Sequence, residues 1–453
     1  MNQDKTTLSF AEGSISRTVF ANTVPAIAAM LMVLVYNLAD TFFIGQTHND
    51  YMVAAVSLAT PIFLIFMAVG TLFGMGGTSV ISRAYGEGRR EYAKKVSAFC
   101  MWACIVVGLV LMTFLWVFMD VILAWLGAGK ETLDYTRTYL NIVAVCGVFS
   151  LIANCYSNII RAEGKPAVAM GGTLIGNLLN VILDPVMILG LGWGMAGAAI
   201  ATVVGNVVAA MFYLFYFWSG KSGLSIRIKD FSMKEGICVN VLAIGVPASL
   251  GSLLMSLSQM IAYSLMAGYG DMSIAAYGVS AKVLMIVTLF AIGLGQGIQP
   301  VLGYCYGARN HQRFQDVLKF SLWFSLILSG TTSLLCFLFT GPIVQMFLTD
   351  SRAMGFGVRF SRIMLVTAWL FGVYYVLINA LQAMGAAKPS FILSVCRQGV
   401  IYIPAVFLMN IWIGREGVVW AQPVADICSL VLAMLFLKKE LDKMNLIQMP
   451  ERL

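Results

Sequence analysis

The chain has 453 residues, 60% of them hydrophobic and 11% charged, with a mean hydropathy of +0.86. A soluble core of this length cannot bury so much apolar surface, which excludes a water-soluble fold and points to an integral membrane protein. The uncharged apolar runs are too long for barrel strands, so the spans are helical, and the net charge of +8 is read from where Lys and Arg fall rather than as a nucleic-acid signal.

Residues Met1 to Ser14 are polar, include Asp4 and Glu12, and precede a span too long for a cleaved signal peptide, so no removal is expected. Charged and turn-rich breaks then predict twelve spans: about 15–45, 52–82, 94–118, 134–160, 166–190, 194–218, 237–266, 274–304, 316–339, 355–381, 389–413 and 416–437. With the N-terminus in the cytoplasm, only Lys130, Arg137, Arg352, Arg359, Arg362 and Arg415 fall on the outer side, and Lys282 and Arg397 fall within spans. The other basic residues are cytoplasmic, so both termini are predicted inside. The nine cysteines lie mostly in apolar runs with no CxxC pair, and His48 and His311 are the only imidazoles. The thiols are expected to pack as small apolar groups, with neither a disulfide framework nor a zinc site.

A second copy of the plan begins near Gly236, after the basic connection from Gly220 to Glu235. Tyr85-Gly86 before Arg89-Arg90 corresponds to Tyr306-Gly307 before Arg309, and Pro25 corresponds to Pro247. Arg161-Ala162-Glu163-Gly164-Lys165-Pro166 likewise corresponds to the stretch from Gln382 to Pro389. An even helix count per half makes the repeats parallel. The predicted fold is an all-α polytopic membrane protein of twelve transmembrane helices in two pseudo-symmetric six-helix lobes. These are an N-terminal lobe 1–219, a cytoplasmic linker 220–235, a C-terminal lobe 236–438 and a tail 439–453. Such bundles commonly enclose a cavity exposed alternately to the two sides.

Polar groups inside spans mark the function, because an ionisable side chain at bilayer depth costs about 2.5–3.5 kcal/mol on insertion scales. Asn177, Asn180 and Asp184 share one helix face, and Pro185 frees a carbonyl beside them. On the predicted topology Asp40, Asp184 and Thr202 lie at one depth in the outer part of the first half, with Asn180 a turn below. Carboxylate, amide and hydroxyl oxygens suit Na⁺, and a buried carboxyl suits a proton; both remain open. Tyr36, Asn37, Tyr139, Asn154, Asn158 and Asn177 are candidates to extend the network or line a substrate cavity, and Pro25 is a candidate bending point. The second half offers Gln259, Lys282, Arg397 and Asp426, read as cavity-lining residues or a structural ion pair. No phosphate-binding loop, channel filter or hydrolase motif is found, so the chain is not read as an enzyme, and any active transport would draw on an ion gradient.

Pro25, Asn37-x-x-Asp40-x-x-Phe43-Ile44-Gly45, Tyr85-Gly86, Arg161-Ala162-x-Gly164-x-Pro166 and Asn180-x-x-x-Asp184-Pro185 before Gly197-Ala198-Ala199 together resemble the multidrug and toxic compound extrusion (MATE) family. The resemblance spans essentially the whole chain and is closest to the prokaryotic branch whose cation site lies in the N-terminal lobe. It implies export of amphipathic, mostly cationic drug-like compounds in exchange for Na⁺ or H⁺, without another cofactor or nucleic-acid partner, by a monomer in the cell inner membrane. It places the coupling site on Asp40, Asn180, Asp184 and Thr202, with Asn154 and Asn158 close by and Pro25 as the bend. The family's other branch carries acids in spans seven and ten, where this chain has Gln259 and no acid. The rival reading is a flippase for lipid-linked precursors or glycolipids, kept open by Lys282 and Arg397.

Overall fold

In lipid every backbone N–H and C=O needs a partner within the chain, so long apolar runs become helices. The computed structural model describes residues 10–47, 49–126, 129, 131–348 and 350–446. His48, Lys130 and both ends of the chain therefore lie outside the described residues. The first half contributes α1 (Ile15–Gly45), α2 (Asp50–Gly86), α3 (Arg90–Val117), α4 (Leu133–Ala162), α5 (Pro166–Asp184) and α6 (Gly194–Trp218). The second half contributes α7 (Ile237–Ala267), α8 (Asp271–Gly307), α9 (His311–Leu338), a two-part α10 (Ser351–Ala368 and Phe371–Ala383), a segmented α11 (Ala387–Val395 and Tyr402–Ile413) and α12 (Arg415–Leu446). Among the described residues, eleven helices are long and apolar enough to cross a membrane, and α10 makes a twelfth as a pair bent by 45°. The predicted spans are recovered, with two additions at matching places: the short helices Met119–Trp125 and Thr340–Gln345.

The repeat is legible in the turns. Gly164 (φ 80°) and Gly385 (φ 75°) occupy the left-handed region in the corresponding turns before α5 and α11, where a side chain would be strained. Pro166 then opens α5, where its missing N–H costs nothing.

Contacts group the described chain into two compact units, 28–245 in one and 10–27 with 246–446 in the other. The boundaries therefore differ from the predicted halves: the start of α1 packs within the second unit and the start of α7 within the first. Glycines explain how. A Cβ on Gly293 or Gly297 of α8 would lie 2.7 Å from Ile27 Cα and 2.6 Å from Thr23 Cα. In the other unit a Cβ on Gly76 of α2 would meet the Val241 carbonyl oxygen at 2.2 Å, and one on Gly245 the Leu72 carbonyl oxygen at 2.1 Å. Where lipid removes the hydrophobic drive between helices, such backbone approach is the main source of packing energy. The two switches of partner fall beside Pro25 and Pro247, at 27/28 and 245/246.

Two π-helical turns interrupt the regular ladder. Pro185–Gly190 follows α5 immediately after Asp184, and Cys396–Ile401 divides α11 and carries Arg397. Pro185 lacks the N–H that a regular turn would use, which accounts for the first.

Candidate functional site

The first polar group lies in the first unit, on α1, α4, α5 and α6. Asp184, Asn180 and Thr202 are 0%, 2% and 5% exposed. The Asn180 amide, oriented to satisfy its neighbours, donates to Asp184 Oδ2 at 3.3 Å and accepts from the Thr202 backbone N–H at 3.0 Å. Asp184 Oδ1 is buried without a partner among the described residues. Tyr36, one turn before Asp40 on α1, and the buried Tyr139 of α4 lie within electrostatic reach of Asp40 and Asp184 and hydrogen-bonding reach of Thr202. Asp40 is half-buried and interacts electrostatically with Asp184. Asn206, which sequence reasoning passed over, holds the Thr202 carbonyl at 3.0 Å. The arrangement brings two carboxylates, an amide and a hydroxyl together in a largely buried place. Its orphaned carboxylate oxygen and all-oxygen ligand set fit a hard monovalent cation or a proton.

Other predicted members stand apart. Asn154 and Asn158 lie on α4 about 22 Å and about 28 Å along the helix from Tyr139 and form a separate group, which corrects the expectation that they sit beside the acids. Asn154 donates to the Met67 carbonyl at 2.9 Å and to Thr71 Oγ1 at 3.2 Å. Asn158 donates to the Asn154 carbonyl and accepts from Arg161 Nη2, both at 2.9 Å. Arg161, assigned from sequence to the cytoplasmic turn, is 5% exposed. Asn37 is exposed and bonds its own helix at the Val33 carbonyl, and Asn177 is half-buried with its amide nitrogen unpartnered. Pro25 sits inside α1, two residues before the change of unit.

The second unit carries a different group. Arg397 Nε bonds Asp426 Oδ1 at 3.1 Å, and Gln422 donates to the same oxygen at 2.9 Å. The guanidinium lies over Phe371, Tyr374 and Tyr375 at 4.9, 4.7 and 5.5 Å from the ring centroids. The ion pair foreseen for Asp426 therefore takes Arg397. Lys282 lies elsewhere, exposed, with its ammonium over the Phe347 ring at 5.3 Å. Gln259 is exposed, while its neighbour Ser258 is buried and donates to the Gln398 carbonyl.

Beyond the spans two carboxyls shift in opposite directions. Burial pushes Glu163 up, partly offset by hydrogen bonds from the Gly223 N–H, Ser222 and Tyr216. A hydrogen bond from Lys95 draws the exposed Glu235 down, aided by the charges of Lys95 and Arg89.

The MatE family model matches residues 25–186 and 247–408, one copy in each half. The chain is 30% identical over 453 residues to the multidrug export protein MepA of Staphylococcus haemolyticus (strain JCSC1435), covering 98% of this chain and 99% of that protein. The MepA of Staphylococcus aureus (strain NCTC 8325 / PS 47) is 31% identical over 431 residues, with 94% of each covered. A solved outward-facing conformation of a multidrug resistance MATE family transporter of the MOP superfamily superposes with a TM-score of 0.92 at 22% identity, over 97% of this chain and 98% of that one. With a family match in each six-helix half and relatives aligned along nearly the whole length, the chain belongs to the MATE family.

Proposed function

We propose that this chain is a secondary active multidrug exporter of the cell inner membrane, with both termini cytoplasmic, working as a monomer. It exchanges Na⁺ or H⁺ for amphipathic, mostly cationic organic compounds by alternating access. The observation that carries the coupling site is Asp184: fully buried, one oxygen without a partner among the described residues, beside Asn180 and within electrostatic reach of Asp40. Asp40, Asn180, Asp184 and Thr202 hold the cation. The Asn180 amide suits both states of such a site: its nitrogen donates to a bare Asp184 carboxylate, and its oxygen faces the carboxyl when a cation or proton lies between them. Export of drugs is the part drawn from the relatives, which bear the name multidrug export protein.

The cation enters from outside and favours the inward-facing state, and substrate binding favours its release, so the two compete through one conformational equilibrium. Pro25 is the bend through which α1 answers, since its ring leaves a carbonyl free one turn earlier. The flippase alternative asks for uncompensated cations to hold a lipid phosphate. Asp426 neutralises Arg397 in the second unit, which favours the exporter.

The test is efflux of a fluorescent organic cation from proteoliposomes driven separately by a sodium and a pH gradient. Asp184→Asn and Asp40→Asn should each lower gradient-driven efflux at least about tenfold while binding of the dye persists. Fully coupled transport in both variants would sink the assignment.

A further inference from the structure

At the basic end of the first unit, α3, the end of α6 and the connection 220–230 enclose a groove of about 890 Å³. Its rim carries Arg90, Lys94, Lys165 and Arg227, and its deeper wall is apolar, formed by Met101, Trp102, Ile105, Leu214 and Phe217. The acids that line it are engaged within the protein. Glu91 pairs with Lys94 at 2.7 Å, Asp230 accepts from Ser225, and Glu163 is held by the Gly223 N–H, by Ser222 at 2.9 Å and by Tyr216 at 3.3 Å. Trp102 contributes an indole N–H that is buried without an acceptor among the described residues. From Arg90 to Ile105 the groove follows α3 for about 22 Å, longer than a headgroup needs and suited to the upper part of an acyl chain. At its mouth Trp218 of α6 is 68% exposed, as an indole at a membrane interface would be.

We propose that this groove binds one anionic phospholipid of the adjoining leaflet, its phosphate among the rim cations and one acyl chain along the apolar wall. A basic pocket between helices beside an apolar trough has the charge and shape of such an amphiphile. The Trp102 N–H supplies a donor for a phosphate or ester oxygen. The leaflet, cytoplasmic by the orientation proposed above, rests on that reading; the site itself does not.

The experiment is native mass spectrometry of the full chain released from vesicles of phosphatidylethanolamine alone or of equal parts phosphatidylethanolamine and phosphatidylglycerol. The wild type should keep one phosphatidylglycerol through delipidation. The double variant Lys165→Gln/Arg227→Gln should keep it about thirtyfold less, as expected when two basic contacts are lost. Trp102→Phe, which retains the ring and removes the donor, should show a smaller loss. Unchanged thermal transitions of the variants in phosphatidylethanolamine alone would show that they fold, and wild-type dye efflux in the variants would separate this site from the coupling site. Equal retention by wild type and double variant overturns the proposal. So does displacement of the lipid by inorganic phosphate, which would make the groove a site for a free anion.

Discussion

Arg397 Nε lies 3.1 Å from Asp426 Oδ1 with the two side chains only 7% and 3% exposed, so each charge has its compensation from the other. Breaking such a pair leaves an uncompensated buried charge and costs about 3–5 kcal/mol, whereas replacing both members with apolar groups is often neutral. Arg397→Met and Asp426→Leu should each lower the melting temperature sharply in detergent, and the double variant should recover most of the loss. Additive losses would mean that the two do not act as a pair.

Glycine contacts predict a position-specific loss. Gly76→Ala places a methyl against the Val241 carbonyl oxygen, where its carbon would lie 2.2 Å away, and Gly297→Ala presses on Thr23 Cα at 2.6 Å. Overpacking of this kind costs about 1–3 kcal/mol, more where backbone must move. A methyl on Gly330 of α9 would meet nothing within 4 Å, so Gly330→Ala should be neutral or slightly stabilising. Thermal unfolding of the three variants side by side checks the order.

The connection after α6 should respond to pH with an unusual sign. Glu163 holds Gly223 and Ser222 from a site where burial raises its carboxyl above the usual glutamate range. Its contribution is therefore complete below the unfolded-state value and lost as pH rises through the raised one. Hydrogen exchange across 219–226, corrected for intrinsic rate, should show protection falling as pH climbs. Glu235, drawn down by Lys95, predicts the reverse: its contacts with Lys95 and Arg89 persist above the usual range and weaken as pH falls through the lowered value. Protection near Gly223 that grows with pH contradicts the first.

Pro25→Ala restores a donor for the carbonyl one turn earlier and straightens the preference of α1. Because the partner switch of α1 falls at 27/28, the variant should slow dye efflux while leaving dye binding and thermal stability close to wild type. Pro247→Ala, beside the switch at 245/246, tests the corresponding place in the second half. Normal turnover in both would remove prolines from the account of the motion.

Sequence carries the spans because apolar runs between charged breaks leave one helical solution in lipid, and it carries Asp184 and Asn180 because their spacing fixes a common face. Thr202 and Asp40 are reachable by depth counted from the span ends. The same count along α4 separates Asn154 and Asn158 from the acids, although the family resemblance sets them close by, and they belong with Arg161. The glycine turn of Arg161-Ala162-Glu163-Gly164 marks a boundary, but nothing in it announces that Arg161 folds back to Asn158 and Glu163 reaches Gly223. The exchange of α1 and α7 ends is equally hidden, since it depends on which glycine meets which backbone rather than on any local pattern.

That exchange bears on how the chain is made. The start of α1 and the residues just before it, anchored in the finished protein by Arg313 on the Phe10 and Gly13 carbonyls and by Gly297 against Thr23, leave the ribosome well ahead of these partners. Its partners on α8 and α9 follow only after most of the chain has been synthesised, on the order of tens of seconds later at ordinary translation rates. Until then the helix enters the bilayer with its docking face unmatched, so the nascent first half waits for the second before its opening helix can settle. A first half expressed alone, ending at residue 219, should be cleared by membrane quality control unless the second half is supplied in trans.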